Sequence, residues 1–363
     1  MQKQTKKAKQ NQKYESYWSL TLEYTDFMDI NFNGVLQNIV NFIDNNNNIN
    51  SKKYQELQKL IYKFRPKKDM ASVRKSINQF LKLGFINNKF NGYHPKTKEF
   101  LQEKLEPRKR RIYSEIMYDN ASFKRSFSND SNENEINFLV KTLEYCGTLN
   151  KDELLALMFI EISKYDKGYL NLDELKILSN KIKNGNVIKR KYNQVGYLIN
   201  IAQKLSGIYI AKSGNKIILS FDEILSDERI FINRDPYKQK LYKIDLINEA
   251  IEIYKDYECV VEHRKYPILI ASHIKPYIRC SANEAFDKNN GLLLSSNLDY
   301  LFDRGWITFD DNGKILCSVN LDDRIKKYLS SFSLDNDYFN ETRKEYMKFH
   351  RDNVYNTSKE YKI

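Results

Sequence analysis

PILIASHIKPYIRCSANEAFDKNNGLLLSSNLDYLFDRG, residues 267–305, decides the architecture of the C-terminal part of this chain. ILIAS reads as a short buried strand that delivers His273 at its end. Asn289-Asn290-Gly291 is a turn signal leading into a second apolar run, LLL. SSNLDYLFDRG then offers Ser296 as a helix N-cap and Gly305 as a stop. Strand, loop, strand, helix is the expected order. On that helix Asp299 and Asp303 stand four residues apart, so both carboxylates project from one face.

Such a set suits phosphodiester hydrolysis. That reaction needs a base to activate water, a cation to hold the departing oxygen, and positive charge beside the phosphate. Histidine, with an unperturbed pKa of about 6.5, serves as a base at neutral pH. Paired carboxylates suit a hard divalent cation such as Mg²⁺ or Mn²⁺, which acts as a Lewis acid.

ASHIKPY, NNGLLLS and NLDYLFDRGWITFDDNGKI together resemble the HNH endonuclease family, in the subgroup found in bacterial restriction enzymes. Members of that subgroup also tend to finish with a segment like YMKFHRDNVY, residues 346–355 here. The likeness runs over residues 257–355, about a quarter of the chain. It implies a ββα-metal nuclease domain with His273 as general base. Asn290 takes the place of the middle Asn, which holds the loop and orients the base. Asp299 stands where the final His would be and is implied as a metal ligand, with Asp303 as a second. Asp303 has an equal alternative role in capping the helix or bridging to Arg304. Many relatives carry Asp or His just before the base as a further ligand, and this chain has Ser272 there. Lys275, Arg279 and Arg304 are candidates to neutralise the scissile phosphate, or are solvated cations. His350 and Arg351 either contact phosphate or pack beside the site, and His263 is expected to be exposed.

Upstream, helical spacing alternates with hairpin signals. VLQNIVNFI (35–43), YQELQKLIYKF (54–64) and SVRKSINQFLKLGFI (72–86) carry apolar residues three and four apart, and the last stops at Gly84. FINNKFNGYHP suggests a small hairpin turning at Asn87-Asn88. Residues 135–222 repeat the plan, ending in the helix KRKYNQVGYLINIAQKLSG and the hairpin IYIAKSGNKIILS. Helices followed by a hairpin are the order of a winged helix, a fold whose third helix enters the major groove. The expected class is therefore α+β and multidomain: two tandem winged-helix-like domains followed by a ββα-metal (HNH) nuclease domain. The expected divisions are a disordered basic tail at 1–13, winged-helix-like domains at 14–107 and 135–222, a linker at 108–134, and the nuclease domain at 223–363. Candidate DNA-reading side chains are Arg74, Lys75, Asn78 and Gln79 in the first domain. In the second they are Lys189, Arg190, Lys191, Asn193 and Gln194. Arg, Asn and Gln can pair bidentately with base edges; the alternative is that these are solvated faces of packing helices.

A formal net charge of +13 points to a polyanionic partner, although a Lys-rich composition also arises without one. Cys146, Cys259, Cys280 and Cys317 are far apart with no C-x-x-C pair, so neither a structural zinc site nor a disulfide framework is expected. No apolar run approaches the ~18 residues of a membrane span, and a reducing bacterial cytoplasm is the expected compartment. The expected activity is that of a type II-like restriction endonuclease: sequence-specific, metal-dependent, and cutting double-stranded DNA. One such site cuts one strand, so a double-strand break calls for a homodimer or sequential nicks. A cognate DNA methyltransferase would be the genetic partner. The alternatives are a modification-dependent endonuclease and a non-catalytic DNA-binding regulator.

Overall fold

The computed structural model describes residues 18, 20, 22–183, 188–213, 216–221 and 235–355. Contacts divide the chain into two compact units, residues 1–222 and 223–363.

The first unit opens with helices α1 (Ile30–Asp44), α2 (Ser51–Phe64) and α3 (Met70–Lys82). Each starts where sequence chemistry dictates, because the side chains of Asp29, Asn50 and Asp69 accept hydrogen bonds from first-turn amides. The apolar stripes meet in a core where the Phe32, Phe80, Phe85 and Phe100 rings pack edge to face or tilted. The hairpin expected after α3 shrinks to one bridge, Ile86 to Tyr93, around a turn at Asn88–Phe90. Phe90 is buried and packs on Tyr54, so the turn folds inward and does not extend as a wing.

After α4 (Thr97–Gln102), the first part of the segment expected to be a linker lies in a helix, α5 (Glu106–Asn120). Pro107 sits in its first turn, where a missing amide costs nothing. Ile112, Tyr113, Ile116 and Met117 are buried, a stripe that the charged run around RKRR conceals in the sequence. Ser114 Oγ accepts from the Ser206 amide and Arg110 donates to the Gln203 carbonyl, which bind α5 to the later part of the same unit.

That later part runs α6 (Glu135–Cys146), β1 (Thr148–Asn150), α7 (Lys151–Leu157), α8 (Leu172–Lys183), α9 (Ile188–Ala202), β2 (Ile208–Ser213) and β3 (Lys216–Phe221). The strands form one antiparallel sheet in the order β1-β3-β2. Gly214 and Asn215 of the expected turn, and the basic tail at 1–13, lie outside the described residues.

The second unit begins with α10 (Pro236–Tyr254), capped by Asp235 with Pro236 in its first turn. It packs on an antiparallel hairpin of β4 (Leu269–His273) and β5 (Gly291–Ser295), with Leu269 opposite Ser295 and His273 opposite Gly291. Helix α11 (Ser296–Asp303) follows β5 directly and returns over the same hairpin. Its cap is Ser295, one residue before the expected Ser296. A second hairpin, β6 (Ile307–Phe309) with β7 (Ile315–Cys317), and helices α12 (Asp323–Leu329) and α13 (Glu341–His350) complete the unit. Every residue of β5 is buried, so the first hairpin is the centre of this core. No helix among the described residues is long and apolar enough to cross a membrane.

Candidate active site

His273 ends β4, and its imidazole is 8% exposed. Its Nε2 lies 2.9 Å from the Ala285 carbonyl oxygen. A carbonyl only accepts, so Nε2 donates, and in the neutral ring Nδ1 becomes the basic nitrogen. The ring stacks on Tyr242 of α10 with centroids 4.5 Å apart and 18° between planes, and the edge of Tyr277 closes another side.

Asn290 is fully buried. Its Oδ1 accepts from the Lys275 amide at 2.7 Å. Its Nδ2 faces the carbonyls of Lys275 (3.2 Å) and Glu284 (3.1 Å) and the Cys280 sulfur (3.2 Å). One side-chain amide thereby ties together both ends of the loop that follows His273. Its own carbonyl accepts from the Ile274 amide at 3.0 Å and the Tyr242 hydroxyl at 2.9 Å.

Ser272 is buried, and strand alternation turns it to the face opposite His273. Its Oγ has no hydrogen-bond partner in the described structure. Asp299 is half-buried in the first turn of α11, and Asp303 is exposed at its end.

The geometry agrees with the comparison to known families: residues 259–310 match the HNH endonuclease family. The chain carries an HNH endonuclease domain. No curated protein matches the chain.

HNH nucleases typically use a divalent metal. Among the described residues no three His, Cys, Asp or Glu side chains stand close enough to hold one. The domain offers the Asp299 carboxylate in the first turn of α11 and Asp303 exposed at its end, whereas Ser272, turned to the face opposite His273, does not join the side on which the base stands. Carboxylate oxygens are the donors that a hard divalent cation takes, one or two of them sufficing when water and phosphate complete its shell.

The three candidate phosphate-binding cations separate. Lys275 is committed to an ion pair with Glu284 at 2.7 Å and lies over the Phe349 ring. The Lys275 ammonium holds the Glu284 carboxyl down, to about 2. Lys275 thus braces the loop. Arg279 is exposed beside Ile278, which is 91% exposed, and Arg304 is exposed with its guanidinium over Tyr300.

His350 is part of the core of the HNH-containing unit. Its ring stacks on Phe302 at 3.9 Å, Nε2 lies 3.0 Å from the Phe302 carbonyl, and Nδ1 lies 2.9 Å from Thr308 Oγ1. Burial pushes its pKa down to about 4, so it is neutral. Arg351 bonds the Phe309 carbonyl and Asp311.

Of the first candidate reading set, Arg74 and Lys75 are exposed. Asn78 Oδ1 instead accepts from the Tyr54 hydroxyl and the Phe127 amide. Gln79 is fully buried, its Oε1 accepting from the Glu23 and Tyr24 amides. Gln79 is thus enclosed in the core, whereas Asn78 is half-buried with its oxygen engaged. The side chains of Lys189, Arg190, Lys191, Asn193 and Gln194 lie outside the described residues.

Several residues around the HNH segment escaped the sequence reading. Arg343 of α13 is fully buried, pairs with Glu249 of α10 at 2.8 Å, and donates to the Lys288 carbonyl at 3.0 Å. Tyr346 donates to Asp287 at 3.0 Å, and Asn340 donates to Asn289 at 2.9 Å. Thus α10 and α13 hold the 287–290 turn from outside the matched segment. The one local signal was Gly291, a residue without a side chain at the start of an otherwise apolar strand.

Proposed function

We propose that the chain is a metal-dependent endonuclease for double-stranded DNA, of the sequence-specific type II-like restriction class. In this reading residues 223–363 cleave, while residues 1–222 hold and read the duplex. The observation that carries it is the His273 arrangement: Nε2 tied to a carbonyl, Nδ1 basic, and the following loop pinned by Asn290. His273 Nδ1 takes a proton from a water molecule as its oxygen attacks phosphorus. The P–O3′ bond breaks, leaving a 5′-phosphate and a 3′-hydroxyl whose proton comes from solvent. Asp299, with Asp303, would hold Mg²⁺ or Mn²⁺, which would supply Lewis-acid stabilisation when bound. Arg279 and Arg304 supply positive charge for the phosphate.

The charge distribution supports the division of labour. Residues 1–222 contain 38 Lys and Arg against 23 Asp and Glu, whereas residues 223–363 contain 22 against 24. Polyanion attraction therefore belongs to the first unit. Its helices followed by the β2–β3 hairpin support a winged-helix reading, with α9 as the groove-entering helix and Arg74 and Lys75 as phosphate contacts. Two chains, one per strand, would make a double-strand break.

The test is supercoiled plasmid, unmethylated and methylated, incubated with Mg²⁺ or Mn²⁺ and either wild type or His273→Ala. Wild type nicks and then linearises the unmethylated plasmid, and the variant does neither. Equal nicking by both proteins refutes the assigned base. Cleavage of methylated plasmid alone refutes the restriction-type reading.

A further inference from the structure

Helix α10 lies wholly before the matched segment, yet one of its side chains touches both residues on which the proposed chemistry depends. Tyr242 is fully buried. Its ring covers one face of His273, and its hydroxyl donates to the Asn290 carbonyl at 2.9 Å. The strand partner of His273 is Gly291. A Cβ at that position would collide with the Tyr242 hydroxyl and lie 2.9 Å from both Leu246 methyl groups. Gly291 is therefore the gap through which α10 reaches the imidazole.

The hydrogen bond to Ala285 restrains one atom of the imidazole, Nε2, and Tyr277 meets the ring edge to face. A ring stacked flat on the imidazole restrains its plane. We propose that Tyr242 is a positioning residue for His273, holding the imidazole plane and, through its hydroxyl, coupling that plane to the Asn290 turn. The inference rests on the nuclease reading above. Burial raises the phenol well above its usual range, so the hydroxyl stays a donor across neutral pH.

Two substitutions separate the two contacts. Tyr242→Phe keeps the ring and deletes the hydroxyl, and Tyr242→Leu deletes the stacked plane. Single-turnover nicking at saturating plasmid and Mg²⁺ is measured for both, beside wild type and His273→Ala, with DNA Kd and Tm recorded for each. A misaligned base costs on the order of 100-fold, so Tyr242→Leu slows nicking by about that factor. Tyr242→Phe slows it by about 10-fold, consistent with the loss of one buried hydrogen bond. DNA Kd stays within about twofold of wild type for both. The acid limb of the rate–pH profile moves in Tyr242→Leu because the aromatic face beneath the imidazole is gone. A merely structural defect would lower the rate equally at every pH. A folded Tyr242→Leu that nicks within about twofold of wild type, with the acid limb unmoved, overturns the inference. Should Tyr242→Leu fail to fold, a folded Tyr242→Phe at wild-type rate overturns it. His273→Ala at wild-type rate instead overturns the nuclease assignment on which the inference rests.

Discussion

The two units of this protein differ most in where they keep charge. Residues 1–222 have an excess of 15 basic over acidic side chains, and residues 223–363 have an excess of 2 acidic ones. The candidate active site is in the second. Counterion release scales with the number of phosphates neutralised, so a nearly neutral catalytic unit has little long-range hold on DNA. What it has is local order: a base held at one nitrogen and on one stacked face, and a loop fixed by one amide. On the proposed reading, attraction and chemistry lie in different units of the chain, and separate substitutions should reach each.

The strongest blow to the catalytic side is Glu249→Gln. Arg343 would keep its charge in a fully buried position without its carboxylate, a loss of about 3–5 kcal/mol. Calorimetry should show the transition of residues 223–363 moving down while that of residues 1–222 holds. Next comes Asn290→Ala, which leaves the Lys275 amide without its buried acceptor. Nicking should fall about 100-fold with DNA Kd unchanged; equal losses in both would break the separation.

A pH effect of a different sign from that of the buried His350 belongs to the first unit. Burial raises the Glu135 carboxyl from 4.5 to about 7. A group whose folded pKa is raised contributes stability that is fully present below its unfolded pKa. That stability is lost as pH rises through the folded value. The Tm of residues 1–222 should therefore fall between pH 4.5 and 7. Glu135→Gln, which keeps an oxygen for the Phe123 amide, should flatten the fall. Lys82, Lys124, Arg125 and Glu133 also act on or around this carboxyl, so an unchanged slope in the variant would assign the dependence to them. The smallest effect is that of Arg74→Ala with Lys75→Ala. It should weaken DNA binding and lower the salt slope by about 2, leaving the rate at saturating DNA as it was.

What the sequence discloses follows how local each determinant is. His273, Asn290, Asp299 and the hairpin of β4 and β5 are written within 35 residues, as a strand end, a turn and a helix start. The β2–β3 hairpin is legible for the same reason. Glu249 and Arg343 are 94 residues apart, and nothing near either announces the other. Gln79 misleads because polarity on a helix looks like a reading face, when this side chain is buried and accepts from the backbone of Glu23 and Tyr24. Helix α5 misleads in the opposite way, its apolar stripe hidden behind a basic run.

Asn290 has a consequence for how this site can change over generations. Because one amide gathers the loop at Lys275, Cys280 and Glu284, and the Lys275–Glu284 ion pair closes it, the outward side chains between them are not needed to hold it. Ile278 and Arg279 stand in that stretch, open to solvent. Their identities are free to drift toward new substrate contacts while the base keeps its aim, so novelty and precision are assigned to different residues of a single loop.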